Sequence, residues 1–88
     1  MTLLALLVGC AENACEGWAA VALACVDEAG EDTRTYEADA ACPGWSSEAQ
    51  ALYGPWYRCQ EDAWVAADCS SVEGVDDARA TAATCPAP

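Results

Sequence analysis

Histidine, lysine and phenylalanine are absent from the 88 residues, and the only basic side chains are three arginines. Without histidine the Ser-His and Cys-His nucleophilic arrangements cannot be assembled, and without lysine amine-based covalent catalysis is excluded. No glycine-rich phosphate loop or dinucleotide motif occurs. There is no C-x-x-C pair either, which together with the missing histidines removes the common zinc frameworks. Adjacent acids such as Glu61 and Asp62 point in different directions on a helix and read as solvated rather than catalytic. The chain is therefore expected to be no enzyme and to carry no cofactor and no metal. Fifteen acidic residues against three arginines give a net charge of -12, a surface that repels phosphate backbones and excludes nucleic acid as a partner. Asp27, Glu28, Glu31 and Asp32 gather around one turn, and Asp76 and Asp77 around another. Neither group has the ordered oxygen-ligand spacing of a calcium loop, and both read as solvated surface.

What the chain does have is seven cysteines. A domain this short buries only about 60% of its unfolded surface, so its core alone is marginal. Small exported domains offset that deficit with disulfides, whereas chains of reducing compartments rarely keep so many thiols. The competing reading is a thiol or metal protein of the cytosol.

Seven of the first eight residues are apolar, and Leu7, Val8, Gly9 and Cys10 follow as L-V-G-C. This stretch resembles the lipobox of bacterial lipoproteins, in which the peptide is cut before the cysteine and the sulfur receives a diacylglyceryl group. Small Gly9 suits a signal peptidase, and Thr2 to Val8 supply the apolar segment, although no lysine or arginine precedes it. The resemblance implies that residues 1–9 are a signal peptide, Cys10 the lipidated N-terminus, and 10–14 a short tether to a domain spanning 15–88. Two acyl chains on one residue give stable anchoring. Ala11, standing where aspartate would retain a Gram-negative lipoprotein in the inner membrane, implies the outer membrane or cell surface. Parity agrees with this reading, since removal of Cys10 leaves six cysteines that can pair completely.

Those six are Cys15, Cys25, Cys42, Cys59, Cys69 and Cys85, spaced C-x9-C-x16-C and then C-x9-C-x15-C. Shifted by 44 positions, Cys15, Ala19, Val21, Ala22, Cys25, Gly30 and Asp32 fall on Cys59, Ala63, Val65, Ala66, Cys69, Gly74 and Asp76. The chain thus reads as a duplicated unit, with repeats over 15–43 and 59–86. In the first repeat, Cys15, Trp18, Ala22 and Cys25 mark one face of a helix over 13–26; DEAGED breaks it, and a second helix runs over 34–42. In the second repeat, Pro55 opens a helix whose face is Trp56, Cys59, Ala63 and Ala66. SSVEG breaks that helix, and a return helix follows over 75–85. Between the repeats, the capping-box spacing of Ser47 and Gln50 predicts a short linker helix, stopped by Gly54-Pro55. The expected fold is all-α: two disulfide-clamped antiparallel hairpins, four main helices and the linker helix.

Six cysteines allow 15 connectivities. In an antiparallel hairpin, opposed residues are symmetric about the turn. Cys15 and Cys42 centre on DEAGED, and Cys59 and Cys85 on SSVEG. This geometry favours Cys15–Cys42 and Cys59–Cys85, with Cys25–Cys69 joining the units. The paired spacing also resembles twin C-x9-C proteins, and that resemblance implies a different set: Cys15–Cys69, Cys25–Cys59 and Cys42–Cys85.

Trp45, Tyr53, Trp56 and Tyr57 crowd the connection between the repeats, with Arg58 beside them. They fill the junction of two alanine-rich hairpins, or they form an exposed aromatic platform for a protein or carbohydrate partner. The reading as a whole is a membrane-anchored extracytoplasmic lipoprotein with a structural or partner-binding role. Its alternatives are a soluble exported binding protein and the cytosolic thiol or metal protein.

Overall fold

The computed structural model describes residues 13–42, 44 and 46–88. The L-V-G-C stretch with Cys10, and Trp45, lie outside the described residues. Helix α1 spans Ala14–Glu28. Its first turn is capped by Asn13, whose Oδ1 accepts the Glu16 amide at 2.8 Å and satisfies one of the donors orphaned at a helix start. The last two residues of the expected tether therefore belong to the folded unit. After α1 the chain turns at Gly30, whose φ of +82° lies in the left-handed region that glycine enters without strain.

The single helix expected over 34–42 is instead two short pieces. A 3-10 turn, Arg34–Tyr36, is followed by one-turn α2, Ala38–Ala41, and extended Glu37 stands between them. Asp32 Oδ1 accepts the Arg34 amide at 3.0 Å. Such a local side-chain bond offers the backbone an alternative to a helix, and it ends in a turn that throws Tyr36 back toward α1.

Helix α3, Ser47–Val65, corrects a second expectation. The linker helix and the helix expected from Pro55 are one element, with Pro55 inside it. Ser46, not Ser47, is the cap, accepting the Ala49 amide on its Oγ at 3.1 Å. Proline has no N–H for the carbonyl four residues back, a loss of about 3 kcal/mol in a helix interior. Packing on both sides of the proline offsets it. Gln50, Gly54 and Tyr57 face Asn13, Ala14 and Cys15 across a narrow seam, and Trp64 is buried further along. Contact between α1 and α3 is the most extensive in the fold.

Helix α4, Val72–Ala82, begins three residues before the expected 75. SSVEG starts it rather than forming the break, because Ser71 Oγ accepts the Gly74 amide at 3.1 Å. Gly74 is buried where the Asp68 carbonyl crosses the new helix.

Three disulfides clamp these elements: Cys15–Cys42, Cys59–Cys85 and Cys25–Cys69, with Cα atoms 6.0, 5.9 and 4.9 Å apart. All lie within the reach of the bond. This is the pairing that the turn centres favour, and the set implied by twin C-x9-C proteins is not formed. The fold is all-α, two clamped hairpins joined by a third bridge. The hairpins differ in their return limbs, a broken one in the first and an 11-residue helix in the second.

The core has two lobes. Ala22, Cys25, Val26, Trp64, Val75 and Ala78 form one, and Cys15, Ala19, Cys42 and Tyr57 the other, with Trp18 packed against both. The largest side chains removed completely from solvent are only Val26 and Val75. Apart from the aromatics, the lobes are built from alanine, valine and cystine, whose apolar area per residue is small.

Candidate functional site

Among the described residues, the aromatic rings do not form a flat platform. Tyr53 and Trp56 lie edge to face with centroids 6.0 Å apart, and Trp56 meets Tyr57 at 4.8 Å. The series continues inward: Tyr57 to Trp18 at 5.2 Å, Trp18 to Tyr36 at 5.9 Å, and Tyr36 to Trp64 at 5.5 Å. Tilted and edge contacts at these separations are favourable for aromatic quadrupoles. Six rings thus lead from the surface of α3 into the core.

Of the residues singled out in the sequence, Tyr53, Trp56 and Tyr57 are brought together, and Tyr53 is exposed. Tyr57 is corrected: its ring is buried in the second lobe, where desolvation, with the neighbouring Tyr53, pushes its phenol pKa upward. It serves the junction and is closed to a partner. Trp56 is half-buried against the same lobe. Arg58 is exposed and folds back along α3 toward Gly54.

The more organised chemistry lies at the inner end of the series, on residues that the sequence did not mark as a site. Trp18, Tyr36, Gln60, Trp64 and Arg79 line a cleft of about 200 Å³ between α1, the 3-10 turn, α3 and α4. Arg79 Nε donates to the Tyr36 hydroxyl at 3.1 Å. Its Nη1 donates to Asp76 Oδ1 at 3.1 Å and stands 3.6 Å from Glu31 Oε1. The Tyr36 hydrogen bond, reinforced by Glu31 and Asp76, raises the Arg79 pKa against the opposing effect of burial. Arg79 is one of three cations in a chain of fifteen acids, and that scarcity was the one signal available for it.

The acidic turn is arranged as a clasp. Asp32 grips Arg34 through the guanidinium, Nη2 to Oδ2 at 2.6 Å and Nε to Oδ2 at 3.0 Å, as well as through the Arg34 amide. The side-chain bonds from Arg34 come first, then its amide, in lowering the Asp32 pKa from 3.8 to about 2. A carboxylate depressed in the folded state contributes stability that is complete above 3.8 and lost as the pH falls toward 2. An NMR titration is expected to place the Asp32 midpoint near 2, returning toward 3.8 in Arg34→Ala. A midpoint near 3.8 in the intact chain would show the clasp unformed in solution. With Asp32 on Arg34 and Asp76 on Arg79, no three Asp, Glu, Cys or His side chains among the described residues converge as metal ligands.

Compared with known proteins, the chain matches no family model, no curated protein and no solved structure.

Proposed function

We propose that the chain is a non-enzymatic lipoprotein of the bacterial cell envelope, tethered through Cys10 at the outer membrane or cell surface. Its folded part acts as a structural or partner-binding module. The observation that carries this reading is the use of cysteine. Three bridges consume all six cysteines after Cys10, leaving as the odd one the residue at which L-V-G-C resembles a lipobox. Complete pairing suits an oxidising, extracytoplasmic compartment. With the chain starting α1 at Ala14, lipid at Cys10 would hold the domain against the headgroups, and its acidic surface would turn away from anionic lipid. Tyr53, half-buried Trp56 and Arg58 lie on α3 beside the start of α1, close to the tether, and form a patch able to meet a protein or carbohydrate partner.

Expression with its own N-terminus in a bacterial host, followed by intact mass and non-reducing peptide mapping, is expected to show a diacylglyceryl adduct on Cys10 and cleavage after Gly9. Cys10→Ser is expected to abolish both and to move the protein from the membrane to the soluble fraction of the envelope. An oxidised chain without lipid would replace this reading with a soluble exported binder. Seven free thiols would replace it with the cytosolic thiol or metal protein.

A further inference from the structure

Two buried side-chain donors, Trp18 Nε1 and Gln60 Nε2, have no hydrogen-bond partner, and neither does the buried acceptor Glu31 Oε1. Leaving a donor unpaired costs about 1–3 kcal/mol, so Trp18 Nε1 and Gln60 Nε2 each call for a partner from outside the chain, whereas Glu31 Oε1 has the Arg79 guanidinium beside it. All three belong to one neighbourhood: Trp18 and Gln60 line the cleft with Arg79, and Glu31 Oε1 stands 3.6 Å from Arg79 Nη1. We infer that this cleft is a binding site for one ring of a neutral carbohydrate, a site separate from the Tyr53 and Trp56 surface and independent of acylation at Cys10.

The chemistry narrows the ligand in three steps. Arg79 is already balanced by Asp76 and Glu31, and the chain carries a net charge of -12, so an anion gains nothing on approach. The two groups left to an outside partner, Trp18 Nε1 and Gln60 Nε2, are both donors. They call for an acceptor, which a sugar hydroxyl supplies as well as a carbonyl does. The walls are aromatic, from Trp18, Tyr36 and Trp64, and the apolar C–H face of a pyranose packs on such rings while its edge hydroxyls hydrogen-bond around them. A cleft of about 200 Å³ holds a single ring rather than an extended chain. Rotation of the Gln60 amide about its terminal torsion, which is broad in energy, presents its N–H groups to the occupant.

The test is a ¹H–¹⁵N NMR titration of the whole chain with methyl α-D-glucopyranoside, methyl α-D-mannopyranoside, methyl β-D-galactopyranoside and N-acetylglucosamine in turn. Propionate and N-methylacetamide serve as anionic and peptide-group probes. At least one glycoside is expected to shift the Trp18 indole and Gln60 amide signals saturably, with Kd on the order of 1–10 mM for so small a ligand. Gln60→Leu, which keeps the bulk and removes the amide, is expected to weaken that binding about 10-fold while leaving the backbone spectrum folded. Response to N-methylacetamide alone would overturn the inference in favour of a peptide ligand. Absence of saturable shifts with every probe would overturn it in favour of trapped water. Lipidation of Cys10 has no bearing on either result.

Discussion

Gly74→Ala is expected to destabilise the domain by about 3 kcal/mol or more, a loss of roughly 12–24 °C in Tm for a chain of this size. A Cβ at this position would run into the Asp68 carbonyl oxygen and stand 2.7 Å from its carbon. Both are backbone atoms that no side-chain rotation can move aside. Relief requires lifting the start of α4 off the chain that leads from α3, which would also pull Val75, fully buried, from the first lobe of the core. Gly30, which stands 44 positions before Gly74 in the sequence, is the control. A Cβ there meets nothing within 4 Å, and its φ of +82° makes alanine costly only through the left-handed backbone, about 1–2 kcal/mol. Thermal unfolding of the two variants separates the cases. Equal losses would mean that the close approach at Gly74 does not exist in solution.

Cys25→Ala/Cys69→Ala is expected to cost about 4 kcal/mol, more than removal of either other bridge at about 3.5 kcal/mol, when measured by urea unfolding. The order follows from loop closure. Cys25 and Cys69 are 44 residues apart, against 27 and 26 for the clamps within the hairpins, and a longer loop loses more freedom on closure. Position adds to it, because Cys25 is buried in the first lobe between α1 and the loop before α4, and alanine leaves a small void there. A loss under about 1 kcal/mol would show that α1 stays docked on α3 without the covalent link.

The bridges were legible because two constraints agreed. The cysteines sit symmetrically about DEAGED and SSVEG, and a hairpin makes symmetric residues neighbours. The first helix was equally plain, its apolar face recurring at Cys15, Trp18, Ala22 and Cys25 and its end marked by Gly30. Pro55 misled because local propensity ends a helix there, whereas the seam of Gln50, Gly54 and Tyr57 against the start of α1 is a long-range fact with no local trace. SSVEG misled in the opposite way: serine followed by glycine reads as a break, yet Ser71 is a cap and Gly74 a contact point. Of the site residues, the clustering of Tyr53, Trp56 and Tyr57 was readable from their spacing, but the burial of Tyr57 depended on Trp18 lying over it. The cleft was not readable at all. It joins residues from α1, the 3-10 turn, α3 and α4, and Tyr36 reaches it only because the limb expected to be a helix is broken at Glu37.

Cystine rather than core volume supports this fold. Val26 and Val75 are the largest fully buried side chains, and three bridges worth about 3–4 kcal/mol each rival the whole stability of a small domain. The direct measurement is far-ultraviolet circular dichroism at 25 °C on the oxidised chain and on the chain fully reduced and alkylated at Cys15, Cys25, Cys42, Cys59, Cys69 and Cys85. The oxidised form should show a helical spectrum and one cooperative thermal transition, and the reduced form should lose most of its helical signal with no transition. A reduced chain that keeps its helices and melts cooperatively would contradict the account.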